Sequence, residues 1–212
     1  IEYRFAHLME AIDSKDSKAV WCLKGGYGSQ QLLEKLDELV DPPTEKIFIG
    51  FSDITILLNY FADKWGWTCL HGPMPGQIGK VDDSTWQNLA DVVFGKACEV
   101  KFVAMPLNQA ATMQKLVTGK FLGGCLSLMQ ALIGTTHMPD LECSVLFLED
   151  DRFESPRRID RIFNHMQRAC IFYSVEGVVL GNFLEGAEKG SKDELELKEV
   201  LENLANYLDE RG

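Results

Sequence analysis

The sequence predicts an α/β protein with a parallel sheet in its N-terminal half. Two observations favour this class: short apolar runs alternate with amphipathic helical patterns, and tight or glycine-rich turns follow the runs. Strand–helix alternation is lost between about residues 96 and 116. We therefore expect an N-terminal domain over 1–104, a linker over 105–117 and a C-terminal domain over 118–212.

The N-terminal half opens with a helical pattern over residues 1–12 and an apolar strand at 19–23. A glycine-rich turn, a helix from about 29 to 40 and a second strand at 47–49 follow. Two strands joined through a helix are typical of a βαβ unit, in which the strands are parallel.

A sharp turn then leads into a helix, whose apolar side chains recur at helical spacing from Ile54 to Trp65. Asp53 stands immediately before this helix, and we expect it to cap the free N–H groups there. A short strand at 68–70 and a helix at 82–94 complete this half.

The C-terminal half carries a glycine-rich strand and turn at 119–126, and the apolar run 145–148 predicts a buried strand. Further elements are expected at 126–131 (helix), 159–166 (helix), 175–183 (strand) and 193–211 (helix). The chain opens and closes on a helix with no strand beyond it. We therefore expect it to be an interior piece of a longer protein, truncated at both ends.

Composition excludes several classes of function. With 21 Lys+Arg against 32 Asp+Glu, the net charge of −11 disfavours nucleic-acid and anionic-membrane partners. The sequence has no apolar stretch long enough for a membrane span and its first residues do not resemble a signal peptide, so we expect a cytoplasmic protein. The six cysteines lack the spacing of a zinc site or a disulfide framework, so no metal is expected.

Ser52 lies in the predicted strand-to-helix turn formed by residues 50–53. Such a turn exposes a hydroxyl beside the free N–H groups of the new helix, which is the geometry of a nucleophile elbow. The GxSxG signature is incomplete because Ile54 replaces its second glycine. From these residues alone, Ser52 is either a nucleophile or part of the helix cap.

A glycine-rich turn follows the preceding strand and consists of Gly25, Gly26, Tyr27 and Gly28. In a parallel sheet this turn and Ser52 emerge at the same edge, where ligands bind in open α/β folds. Glycines there let backbone N–H groups approach an oxyanion or a substrate carboxylate. The alternative is an ordinary tight turn, and the dinucleotide-binding pattern GxGxxG is absent.

A serine nucleophile requires a base. His71 follows a predicted strand at the same edge as Ser52, so we expect it to line the site; His7, His137 and His165 fall on helices or in a loop. Glu149 ends the apolar strand 145–148, either as a solvated strand end or as the partner of an imidazole.

Five motifs in this order resemble the serine LD-carboxypeptidase family, which includes the microcin-C immunity peptidases: GGYG, GFSDIT, HGPM, FLGG and LFLEDD. The resemblance covers about residues 19–181. It implies a Rossmann- or flavodoxin-like N-terminal domain that carries the serine, a β-rich α+β C-terminal domain that carries a glutamate and a histidine, and a homodimer.

The resemblance also assigns roles. Ser52 would be the nucleophile, and the backbone N–H of Asp53, with one from residues 25–28, would form the oxyanion hole. Glu149 would orient the catalytic histidine, which the family carries in a segment beyond Gly212. The implied reaction releases a terminal D-amino acid, such as D-alanine, from murein tetrapeptide in cell-wall recycling, without metal or cofactor.

The sequence departs from the family at Cys125, where asparagine is usual, and at Arg157, where tyrosine is usual. These departures leave the substrate preference open, and three alternatives are kept. The substrate could be a peptidyl-nucleotide antibiotic of the microcin-C type. The protein could instead bind a ligand without catalysis, or bind a nucleotide as a flavodoxin-like module.

Overall fold

The chain divides into two compact units, Ile1–Phe102 and Val103–Gly212. The computed structural model describes residues 1–113, 116–150, 155–183 and 190–210. Each unit contains a three-stranded sheet whose strands are parallel. The α/β class with parallel sheets is therefore confirmed.

The N-terminal unit alternates helices and strands in the predicted order. Its elements are α1 (Glu2–Asp13), β1 (Ala19–Trp21), α2 (Leu33–Asp37), β2 (Ile47–Gly50), α3 (Thr55–Tyr60), β3 (Cys69–His71) and α4 (Asp83–Val93). The sheet has the order β1–β2–β3. Because β2 is central, the turn that follows it is flanked by the turns that follow β1 and β3.

An aromatic cluster fixes α3 behind the sheet. Phe48 of β2 is fully buried, and its ring meets the Phe61 ring edge to face, with centroids 4.7 Å apart. Phe61 in turn stacks on Trp65 at 4.4 Å. Because full burial of one such side chain contributes roughly 1.5–3 kcal/mol, these contacts hold the segment that follows α3 against β2.

The helix expected over residues 54–65 has three parts. It begins as a 3₁₀ turn at Ser52–Ile54, continues as α3 and widens into a π-helical turn at Phe61–Trp65. Gly66, with φ of 68°, ends it. The sequence pattern identified the helical face but not the change in hydrogen-bonding period.

The C-terminal unit contains two successive strand–helix–strand connections. Its elements are α5 (Gln109–Met113), β4 (Lys120–Cys125), α6 (Leu126–Leu132), β5 (Ser144–Glu149), α7 (Pro156–Arg168), β6 (Val175–Leu180) and α8 (Lys192–Asp209). The sheet has the order β4–β5–β6. Its described strands are all parallel and alternate with helices. The unit was expected to be β-rich, but more of its described residues lie in helices than in strands.

Leu146 and Leu148 of β5 are fully buried, as the apolar run predicted. Ile159 and Phe163 of α7 and Leu204 of α8 are almost completely buried as well. These contacts secure β5, whose last residue is Glu149. Among the described residues, no helix combines the length and apolar composition that crossing a bilayer requires.

Candidate active site

Ser52 occupies a strained turn directly after the central strand of the N-terminal sheet. Its φ is 60°, a left-handed conformation that costs a non-glycine residue roughly 1–2 kcal/mol. Gly50 makes the turn possible, because a Cβ there would lie 2.6 Å from Cγ2 of Ile54. Ile54 is buried against this glycine and replaces the second glycine of the GxSxG signature. The predicted strand-to-helix turn at residues 50–53 is therefore present.

The glycine-rich turn after β1 lies against Ser52. A Cβ at Gly25 would stand 3.1 Å from Ser52 Oγ and 3.5 Å from the backbone nitrogen of Asp53. Gly26 and Gly28 have φ of 125° and 107°, values that L side chains rarely adopt. The turn thus brings main chain to the serine hydroxyl, while Tyr27 is 84% exposed.

Asp53 does not cap its own helix, so that expectation is wrong. No side-chain capping bond forms at the start of the Ser52–Ile54 turn or of α3. The buried carboxylate instead accepts hydrogen bonds from the backbone N–H of Gly28 (3.2 Å) and from the backbone N–H (2.9 Å) and hydroxyl (2.8 Å) of Ser29. Gly28 and Ser29 are distant from Asp53 in the sequence, but they reach its carboxylate because β1 and β2 end side by side.

His71 is the last residue of β3 and pairs in register with Gly50. Its ring centroid lies 6.0 Å from that of Phe51. Loss of hydration lowers the pKa of His71 to about 4, although the residue as a whole is exposed. The imidazole is therefore neutral at neutral pH and, with so low a pKa, a weak base.

The other histidines lie away from strand ends. His7 of α1 contacts Glu10 at 3.3 Å, and His165 of α7 lies 3.4 Å from the Gln130 side chain. His137 follows α6 in a loop. These positions agree with the predicted helices and loop.

Glu149 lies at the carboxyl end of β5 in the C-terminal unit, in register with Cys125 at the end of β4. Its Oε1 atom is buried. A Cβ at Gly181 would come within 2.8 Å of Glu149 Cβ, so the chain after β6 packs closely on this glutamate. The neighbouring acidic residue Asp151 is outside the described residues.

The environment of Glu149 contains two groups that the sequence reasoning missed as site features. Asp150 is buried, and its carboxylate accepts the backbone N–H of Ser127 at 2.8 Å. Burial, assisted by the Asp150 charge, raises the pKa of the Cys125 thiol to about 12. Cys125 is therefore a protonated thiol at neutral pH and a poor nucleophile.

Asp53 and Asp150 each follow a candidate catalytic residue directly, near the end of a buried strand. This position in the sequence could have indicated their contacts with the neighbouring turn, but it was interpreted only as local helix capping. Within the described ranges, histidines, cysteines and carboxylates form no group that could hold a metal ion.

The sequence profile of the LD-carboxypeptidase N-terminal domain matches residues 1–72, and that of the LD-carboxypeptidase C-terminal domain matches residues 118–211. A protein of Rickettsia conorii predicted to be a carboxypeptidase is 36% identical over 211 residues, which are 98% of this chain and 64% of that protein. The murein tetrapeptide carboxypeptidase of Pseudomonas aeruginosa is 30% identical over 92% of this chain and 66% of its own length. The chain thus spans less than two thirds of either relative.

Solved structures show the same fold. The muramoyltetrapeptide carboxypeptidase of Oxalobacter formigenes superposes with a TM-score of 0.73 and 27% identity, over 94% of this chain and 69% of that one. An MccF-like protein of Bacillus anthracis gives a TM-score of 0.74 at 24% identity, over 95% and 68% of the two chains. With both domains matched in order, the chain belongs to the LD-carboxypeptidase family, a family of serine peptidases.

Proposed function

We propose that this protein hydrolyses the L,D-amide bond that releases a terminal D-amino acid, D-alanine, from murein tetrapeptide in cell-wall recycling. The observation that carries the proposal is the strained Ser52 turn with the glycine-rich turn packed against its hydroxyl. Family membership and the murein tetrapeptide carboxypeptidase among the relatives supply the substrate class.

In the proposed reaction, Ser52 Oγ attacks the carbonyl carbon of the scissile amide, and an acyl-enzyme forms as D-alanine leaves. Water then attacks the ester carbonyl, which releases the shortened peptide and restores the Ser52 hydroxyl. The oxyanion accepts hydrogen bonds from the backbone N–H of Asp53 and from one N–H of residues 25–28. Gly25 is the member of that turn nearest the hydroxyl, whereas the N–H of Gly28 already donates to Asp53.

A histidine oriented by Glu149 takes the serine proton and passes it to the leaving amine. His71 is unsuited to this role because its low pKa disfavours the imidazolium that must form. We assign the base to the histidine that the family resemblance places after Gly212, and we assign His71 to lining the substrate site as a neutral group. We also propose that the protein is cytoplasmic and forms a homodimer. Sedimentation of the purified protein tests the homodimer, and cell fractionation tests the location.

The test is release of D-alanine from murein tetrapeptide by the wild-type protein and by Ser52→Ala. We expect turnover by the wild type and none above background by the variant, with the same melting temperature within a few degrees. Glu149→Gln should lower kcat but leave KM nearly unchanged.

A substrate panel separates the alternatives. A peptidyl-nucleotide hydrolysed faster than the tetrapeptide would move the substrate class to the microcin-C type. Binding of tetrapeptide without turnover would identify a non-catalytic homologue. Equal D-alanine release by wild type and Ser52→Ala would contradict the proposed nucleophile.

A further inference from the structure

The carboxylate of Asp53 connects the two turns that the proposed reaction needs. Its Oδ1 accepts the N–H of Gly28, and its Oδ2 accepts both the N–H and the hydroxyl of Ser29. Asp53 follows Ser52 directly in the chain, so the group that holds the glycine-rich turn moves with the nucleophile.

Besides Asp53, the described contacts of the glycine-rich turn include the close approach of Gly25 to Ser52 and the N–H of Gln31, which donates to the carbonyl oxygen of Gly28 at 3.2 Å. A Cβ at Gly26 would meet no atom within 4 Å, and Tyr27 is largely exposed. Outside Asp53, Arg4 of α1 supports the turn by donating to the carbonyl oxygen of Tyr27 at 2.9 Å, in an exposed position. The buried bonds to Asp53 are therefore its strongest described restraint, because hydrogen bonds to a charged acceptor in a low dielectric are stronger than exposed ones.

A similar arrangement recurs in the C-terminal unit. Asp150 follows Glu149, is 5% exposed, and accepts the N–H of Ser127 at the start of α6. In both units a buried aspartate directly after the candidate catalytic residue binds the start of the helix that follows the neighbouring strand. The same kind of bond thus links the residue after a strand end to the adjacent turn in each unit.

We propose that Asp53 is a positioning residue, whose carboxylate sets the distance between the glycine-rich turn and Ser52 and so aligns the oxyanion-binding N–H groups. This role rests on the proposed serine chemistry. It requires a carboxylate specifically, since three donors converge on two acceptor oxygens. In asparagine one of the two oxygens is replaced by an N–H₂ group, which would face the donors of either Gly28 or Ser29 and could not accept their hydrogen bonds.

The experiment compares Asp53→Asn, Ser29→Ala and Tyr60→Phe in the full protein. Ser29→Ala removes only the hydroxyl donor to Asp53 and keeps both backbone donors. Tyr60→Phe is the matched control, because it removes one hydrogen bond of a buried ring in the same unit: the Tyr60 hydroxyl donates to Asp37 at 2.8 Å and not to Asp53. The readouts are kcat and KM on tetrapeptide, melting temperature, and hydrogen exchange of the N–H groups of residues 26–29.

Asp53→Asn should lower kcat by about 100-fold, the usual effect of losing or misplacing an oxyanion donor, with little change in KM. Ser29→Ala should give a smaller loss in kcat, and Tyr60→Phe should leave kcat unchanged. Exchange at residues 26–29 should accelerate in Asp53→Asn only. A purely structural role of Asp53 would instead lower the melting temperature of Asp53→Asn and leave kcat of the folded protein intact.

Wild-type kcat in Asp53→Asn would overturn the positioning role. If the wild type itself releases no D-alanine, the proposed function fails, and hydrogen exchange then decides the inference. Faster exchange at residues 26–29 in Asp53→Asn, with unchanged exchange in α3, would support it, and unchanged exchange at 26–29 would overturn it.

Discussion

At the scale of single residues, the candidate site depends on the glycine at position 25. Gly25 allows the main chain to pass Ser52 so closely that a methyl group there would lie 3.0 Å from its Cβ and 3.1 Å from its Oγ. Gly25 does not have a positive φ, so this glycine is required by space and not by backbone conformation.

Gly25→Ala should therefore lower kcat/KM by about tenfold or more, because the new methyl displaces either the hydroxyl or the turn. The melting temperature should change little. Gly72→Ala is the control, since its Cβ would meet Leu89 at an ordinary 3.5 Å. Steady-state kinetics on both variants measure the effect. Equal activity in Gly25→Ala and Gly72→Ala would show that the close approach does not matter.

His71 should make stability depend on acidity. Its folded pKa of about 4 lies below the value of roughly 6.5 in an unfolded chain, so the unfolded state binds more protons between these values. The contribution of neutral His71 to the free energy of unfolding is complete above pH 6.5 and is lost as the pH falls from 6.5 to 4. Melting temperatures between pH 7 and 4 should fall more steeply for the wild type than for His71→Gln. Parallel curves, or an imidazole that titrates near 6.5 by NMR, would refute the shift.

At the scale of elements, apolar periodicity predicted the order of strands and helices except for α5, which lies within the linker expected over 105–117. It overestimated the helix expected at 29–40, which consists of a 3₁₀ turn at Ser29–Leu32 and α2. Leu33 and Leu36 are buried as the spacing required, but Val40 is 95% exposed. Periodicity does not record where Asp53 binds the start of this segment, because that contact comes from a distant part of the chain.

Close packing between β5 and the end of β6 gives an element-scale prediction. In Gly181→Ala the new Cβ would lie 2.8 Å from Glu149 Cβ and 3.0 Å from the Phe147 ring. We expect a loss of roughly 1–3 kcal/mol of stability from this overpacking and a lower kcat from displacement of Glu149. Gly177→Ala, whose Cβ would meet Val117 at 3.5 Å, should retain both. Thermal melts and kinetics compare the two, and equal behaviour would contradict the packing argument.

At the scale of the whole molecule, the local turn identified Ser52 as a candidate nucleophile. The spacing of residues could not show that Ser52 and Glu149 belong to the same site. Ser52 belongs to the Ile1–Phe102 unit and Glu149 to the Val103–Gly212 unit, so no local pattern contains both. Only the order of five motifs connected them, through resemblance to a family. That family is now supported by both domain matches, whereas the roles of the two residues remain proposals.

The central claim is that Ser52 is an activated nucleophile, and covalent labelling tests it most directly. The protein is treated with a fluorophosphonate, digested, and mapped by peptide mass spectrometry. We predict a single adduct, on the peptide that contains Ser52. Prior addition of tetrapeptide should slow its formation, and Ser52→Ala should not form it. An adduct on another residue, or D-alanine release by a protein whose Ser52 stays unlabelled, would contradict the account.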